Sequence, residues 1–114
     1  RAEYYVVNGY LDLALEDLTQ ALTVDPKYVM GYVNRGYIYS LKKEHHRELA
    51  EYAKALTLNP RLVTAYINRS ICYLNLKDYK NALADCNRAL KIVPAHKKVL
   101  EIKEDLLKKY RYTD

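Results

Sequence analysis

The chain has 114 residues, is 50% hydrophobic with thirteen tyrosines and no tryptophan or phenylalanine, and carries a formal net charge of +5. That length holds one small domain, and the apolar share excludes a disordered tail. The apolar runs are too short to cross a bilayer, and the two cysteines, Cys72 and Cys86, do not make a disulfide framework.

The charge is uneven along the chain. Residues 1–26 hold Glu3, Asp12, Glu16, Asp17 and Asp25 against Arg1 alone, whereas residues 61–114 hold twelve bases and six acids. No leader of the secretory type opens the sequence, so buried, reduced thiols and a cytoplasmic location are expected.

A fixed interval organises the chain. Pro26, Pro60 and Pro94 are evenly spaced, and the same spacing separates Tyr5, Tyr39 and Tyr73; Arg1, Arg35 and Arg69; Ala21, Ala55 and Ala89; and Leu22, Leu56 and Leu90. Several residue types keeping one interval, in the range of about 20–50 residues, mark stacked structural repeats. Residue 1 enters that period part-way, so a fragment of a longer chain with a truncated first repeat is expected.

In the first repeat, residues 1–28, Asn8-Gly9 is the expected turn. In the second, residues 29–62, Tyr32, Gly36 and Tyr39 share one helical face. Lys42-Lys43-Glu44 forms the turn, and Leu49, Tyr52, Ala53 and Leu56 share the face of a second helix. The third, residues 63–94, repeats this with Tyr66, Ser70 and Tyr73, a turn near Lys77-Asp78, then Tyr79, Ala82, Leu83, Cys86 and Leu90. Each repeat closes before its proline, because the residue preceding proline is pushed out of helical geometry. Residues 95–114 form a last helix and tail, with Val99, Ile102, Leu106 and Tyr110 as an apolar stripe. Glu104 with Lys108 and Asp105 with Lys109 add spacing-four support. An array needs an end that keeps its last apolar face dry, so this helix is expected to be the cap.

These residues resemble the tetratricopeptide repeat family, in eukaryotic-like form. The family's pattern runs aromatic, two residues, leucine-glycine, two residues, tyrosine, then alanine, three residues, phenylalanine and finally proline. Tyr32, Arg35-Gly36, Tyr39 and Pro60 follow it. So do Tyr66, Arg69-Ser70, Tyr73, Ala82 and Pro94, and, in the truncated repeat, Tyr5, Ala14, Leu18 and Pro26. The resemblance covers residues 1–94. It implies an all-α, right-handed α-solenoid of antiparallel helix pairs, and a protein-interaction module or adaptor that takes a peptide or helix of a partner in a concave groove. The alternative is a structural segment of a longer scaffold in a multiprotein assembly.

Arg1, Arg35 and Arg69 stand where the family more often has leucine, and an acid follows sixteen residues later each time: Asp17, Glu51 and Asp85. The acid changes type but keeps sign and spacing, so each pair is expected to bridge the two helices of its repeat.

The resemblance places the groove on the first helix of each repeat. There Met30, Val33, Asn34, Tyr37 and Leu41 answer to Thr64, Ile67, Asn68, Ile71, Leu74 and Asn75, with Val6 and Val7 extending the strip. An asparagine offers donors and an acceptor to a passing backbone amide. Asn34 and Asn68 are similar to the asparagine ladder of the O-linked N-acetylglucosamine transferase repeats. The family's carboxylate clamp, which grips a free C-terminal carboxylate of a chaperone, fits poorly. In one register Glu3, Thr64 and Asn68 stand where it needs asparagine, lysine and arginine, although Asn34 fits. One repeat further on, Val33, Tyr37, Asn68, Lys98 and Ile102 match at two of five places. An anionic terminus needs charge-assisted donors, so the clamp is disfavoured.

Glu44-His45-His46-Arg47-Glu48 departs from the pattern. Ala14 and Ala82 show that a small residue belongs where Glu48 stands, and an unpaired buried carboxylate is costly. The expectation is a shifted helix with Glu48 turned to Arg47 or solvent. Adjacent histidines on a helix point apart, so no metal site is expected. Asn68-Arg69-Ser70 has the form of a glycosylation acceptor, but lies inside an expected helix. There is no glycine-rich phosphate loop, no metal-spaced cysteine and histidine set, and no nucleophile beside a base. Neither a cofactor nor catalysis is expected. Nucleic-acid binding at the basic end is disfavoured, because Glu101, Glu104 and Asp105 interrupt its lysines.

Overall fold

The computed structural model describes the backbone of residues 2–113 and the side chains of residues 8–111. The described residues form helices and no strand: α1 (Ala2–Val24), α2 (Val29–Leu41), α3 (His45–Leu58), α4 (Val63–Asn75), α5 (Tyr79–Ile92) and α6 (Lys97–Thr113). The chain divides into two compact units, residues 1–60 and residues 61–114. In the first, α1 packs on α2 and α2 on α3; in the second, α5 lies between α4 and α6.

The helix ends follow from the chain's chemistry. α1, α3 and α5 stop two residues before Pro26, Pro60 and Pro94, and the residues preceding the latter two are extended: Asn59 has ψ 91° and Val93 ψ 87°. α2 and α4 end in the same hydrogen-bonded turn. The Lys43 N–H donates to the Ser40 carbonyl (3.0 Å) and the Glu44 N–H to that of Tyr39 (2.9 Å). Lys77 and Asp78 do the same toward Leu74 (3.0 Å) and Tyr73 (2.8 Å). This double closure places its middle residue in left-handed geometry, and Lys43 and Lys77 both have φ 60°. Asp78 then caps α5, its side chain accepting from the Asn81 N–H.

The expected turn at Asn8-Gly9 does not form: α1 runs through it, and no glycine has positive φ. Glycine permits a left-handed residue without imposing one. With no proline nearby the helix propagates at a cost of about 1 kcal/mol relative to alanine.

The first unit buries Leu22, Val33, Tyr52, Ala55 and Leu56. On α3 the buried face runs Glu48, Glu51, Tyr52, Ala55 and Leu56, and Ala53, expected on it, is exposed. In the second unit Ala82, Cys86, Ala89, Val99 and Leu106 form one cluster, with Tyr66, Tyr73, Tyr79, Leu90 and Ile102 packed against it. The α6 stripe therefore faces the core through Val99, Ile102 and Leu106. Two further leucines of α6, Leu100 and Leu107, remain 45% exposed. Glu104 and Lys108 approach to 3.8 Å; Asp105 and Lys109 form no such pair.

Candidate interaction surface

The arginine-acid pairs lie inside the two units and take different forms. The Arg69 Nε and Nη2 donate to the two oxygens of Asp85, at 2.8 and 2.9 Å, and Arg88 Nη1 donates to Asp85 Oδ1 at 2.7 Å. Asp85 is fully buried. Its hydrogen bonds and charge raise the Arg69 guanidinium above its ordinary pKa, against the opposing effect of burial. Arg35 makes a single contact with Glu51, Nη2 to Oε1 at 3.0 Å, and sends Nη1 to Thr19 Oγ1 at 3.3 Å. Its buried Nε has no hydrogen-bond partner. The planar two-bond match made by Arg69 is therefore absent at Arg35. Arg1, expected to reach Asp17, lies outside the described residues.

Both arginines also lie over the tyrosine three residues earlier, Arg35 over Tyr32 and Arg69 over Tyr66, each 5.8 Å from the ring centroid. Three residues is nearly one helical turn, which places the two side chains on one face. The Tyr32 hydroxyl is itself tied down, donating to the Pro26 carbonyl at 2.8 Å. The arginines are thus held by neighbours on two sides.

Glu48 is the clearest departure from the sequence expectation. It does not turn to Arg47 or to solvent: it is 2% exposed, and Arg47 pairs with Glu44 at 3.3 Å. The Tyr52 hydroxyl donates to Glu48 Oε2 at 2.8 Å, and His45 Nδ1 shares a hydrogen bond with Glu48 Oε1 at 3.0 Å. Gly36 makes room for this network. A Cβ there would lie 2.5 Å from a Tyr52 ring carbon, so the backbone of α2 touches the ring directly. His45 is directed inward at Glu48, whereas His46 is exposed.

The residues named for the peptide strip divide by burial. On α2, Met30 (40% exposed), Asn34, Tyr37 (53%) and Leu41 (49%) are exposed along one face, four, three and four residues apart. Val33 is 3% exposed and belongs to the buried interior, because it stands one residue off that face. On α4 the same spacing carries Thr64, Asn68, Ile71 and Asn75. Thr64 and Asn75 are exposed, while Asn68, Ile71 and the neighbouring Ile67 are half-buried. Val6 and Val7 lie outside the residues whose side chains are described. The face of α2 is an apolar strip with an amide at its middle, able to bury an apolar side chain and bond a backbone amide.

Cys72 and Cys86 are buried and not joined in a disulfide, and burial pushes the Cys86 thiol above its ordinary value, with Ser70 opposing. Ser70 is 1% exposed within α4, and its hydroxyl donates to the Ile67 carbonyl. The formal glycosylation acceptor that it completes is therefore folded into the helix.

Tetratricopeptide repeat models match residues 31–62 and 63–96. A search of curated proteins finds no match. Among solved structures, the first TPR of Spaghetti (RPAP3), bound to the HSP90 peptide SRMEEVD, superposes with a TM-score of 0.85 at 21% identity, covering 96% of this chain and 86% of that one. The Arabidopsis OM64 TPR domain gives 0.83 at 22% identity, covering 94% and 88%. YrrB, described as a TPR protein with an unusual peptide-binding site, gives 0.79 at 27% identity, covering 85% of this chain and 50% of that one.

Proposed function

Because the chain belongs to the tetratricopeptide repeat family, we propose that it is a protein-interaction module receiving an extended peptide or helix of a partner along the exposed face of α2. The observation that carries this is Met30, Asn34, Tyr37 and Leu41 lying exposed on one helical face. The related residues Thr64, Asn68, Ile71 and Asn75 recur on α4 one period later. Apolar burial supplies affinity in such a mode, and the asparagine amides hold the ligand backbone, each bond contributing about 1 kcal/mol net.

The RPAP3 and YrrB structures, which involve peptides, support the general mode. They do not carry over the ligand, because the residues a carboxylate clamp needs are replaced here by Thr64 and Asn68. The favoured ligand is therefore an extended segment with apolar side chains and no required terminal carboxylate.

The test is calorimetric titration of a library of extended apolar peptides, with SRMEEVD alongside, against the wild type and the Asn34→Ala, Asn68→Ala double variant. An apolar peptide that binds the wild type and is weakened about tenfold or more by the variant supports the reading. Micromolar binding of SRMEEVD, or apolar-peptide binding indifferent to both asparagines, overturns it.

A further inference from the structure

α5 turns one face to the core and another outward. Its Ala82, Asp85, Cys86 and Ala89 are at most 1% exposed, and a helix packs on either side of it, α4 and α6. Away from them Lys80, Asn81, Asn87, Arg88 and Lys91 are exposed. Lys80, Ala84, Asn87 and Lys91 stand four, three and four residues apart, so they share one face, with Arg88 beside it. That face holds no exposed acid and no large apolar side chain. The one acid of α5, Asp85, is fully buried.

The fold gives these bases little to hold. Lys80, Asn87 and Lys91 have no hydrogen-bond or ion-pair partner among the described residues. Lys91, in the last turn, complements the negative end of the helix dipole, but Lys80 stands in the first turn, where a base is disfavoured. Arg88 is anchored instead: its Nη1 donates to Asp85 at 2.7 Å while its side chain stays 52% exposed. The outward part of its guanidinium is thereby set in place for a second carboxylate. α3 uses its exposed bases otherwise. Arg47 pairs with Glu44 at 3.3 Å, and Lys54 lies over the Tyr32 ring, 5.8 Å from its centroid.

We infer that this face of α5 docks an acidic segment of a partner protein. Carboxylates of the segment meet Lys80, Arg88 and Lys91, its backbone meets the Asn87 amide, and Ala84 leaves a shallow floor between them. Lys80 and Lys91 are about 16 Å apart along the helix axis, a span that about five residues of an extended chain cover. A nucleic acid fits less well: three bases make a small footprint on a phosphate backbone, and no aromatic side chain on the face can stack on a base. A membrane surface fits less well because the apolar face of α5 is buried in the core. The docking face uses neither exposed strip of α2 or α4, so it stands or falls apart from the peptide-binding reading.

Nuclear magnetic resonance titration of the isotope-labelled whole chain with a short peptide of alternating glutamate and serine tests this. Acetylated and amidated ends leave the peptide no terminal carboxylate, and circular dichroism checks that each variant keeps wild-type helicity. The expected result is a saturable set of shifts gathered at residues 80–91 and lost as salt is added. Lys80→Gln with Lys91→Gln weakens binding about fivefold or more. Lys98→Gln with Lys109→Gln removes the same charge from α6 and changes binding less than about twofold, charges off the docking face being screened. Asn34→Ala leaves it unchanged. No saturable shift, shifts gathered on α6 or along α2, equal weakening by both lysine pairs, or tighter binding of a single-stranded RNA of equal charge overturns the inference.

Discussion

The α2–α3 pair and the α4–α5 pair fill the same place between their helices in opposite ways. In the first, glycine on α2 meets a tyrosine and a glutamate on α3: Gly36 lies against Tyr52, and Tyr52 bonds Glu48. In the second the same three places hold Ser70, Cys86 and Ala82, all small and all buried. The room that glycine leaves on α2 admits the Tyr52 ring from α3, and the helices pair in both cases. The acid then differs in step: the first pair holds its arginine by one oxygen of Glu51, the second by both oxygens of a fully buried Asp85. One interior places its polarity in a His-Glu-Tyr network, the other in the ion pair. Across the two pairs it is the sign of the arginine-acid positions that is kept, not residue identity.

The largest test of that contrast is truncation of the two acids. Asp85→Ala removes both oxygens that hold the part-buried Arg69 guanidinium and is expected to cost about 3 kcal/mol. Glu51→Ala, removing one bond from a guanidinium that also holds Thr19, is expected to cost about 1–2 kcal/mol. Urea unfolding checks both, and equal costs would break the comparison.

Next comes the glycine. Gly36→Ala forces a Cβ into the Tyr52 ring and should cost about 2 kcal/mol. Ser70→Ala, which loses one hydroxyl contact, should cost about 1 kcal/mol or less. Adding Tyr52→Cys to Gly36→Ser imports the other pair's solution and should recover part of the loss of Gly36→Ser alone.

A third experiment is the cycle of Glu48→Ala with Tyr52→Phe. The two groups share one buried hydrogen bond, so the double variant is expected to be about 1 kcal/mol less destabilised than the single costs predict. Additive costs would show that Glu48 is held by something other than Tyr52.

The smallest effect is alkaline. The Cys86 thiol is raised above its ordinary value of 9.0, chiefly by burial. The folded chain therefore holds the proton more tightly than the unfolded one. This contribution is complete below about pH 8 and is lost as pH rises past the folded thiol's value. Cys86→Ala should flatten the stability profile above about pH 9 relative to wild type, as urea unfolding across that range would show.

The helix pairs, their turns and the arginine-acid spacing were legible in the sequence because each recurs once per repeat, and a recurring charge sign marks a pair even when the residue type changes. Glu48 was not, because its direction depends on room that Gly36 leaves and on a hydroxyl four residues along its own helix. Neither fact shows when the position is compared only with Ala14 and Ala82. Val33 was misplaced by one residue of helical phase, enough to move a side chain from surface to interior. The break at Gly9 failed for a related reason: the glycine allows a turn that the surrounding packing does not enforce.

The two lysines at φ 60° have a consequence of their own. Lys43 and Lys77 are driven into a conformation that costs a side-chain-bearing residue about 1 kcal/mol or more, and their turns hold because the flanking helices close over them. Each turn is thus a spring kept wound by the packing on either side. Glycine or asparagine at either place would release it, in part offset by the greater freedom glycine has when unfolded. The chain thereby keeps a reserve of thermal stability at two solvent-facing turns, separate from the exposed faces of α2 and α4 and from its buried networks. An engineer could draw on that reserve without altering either exposed helix face.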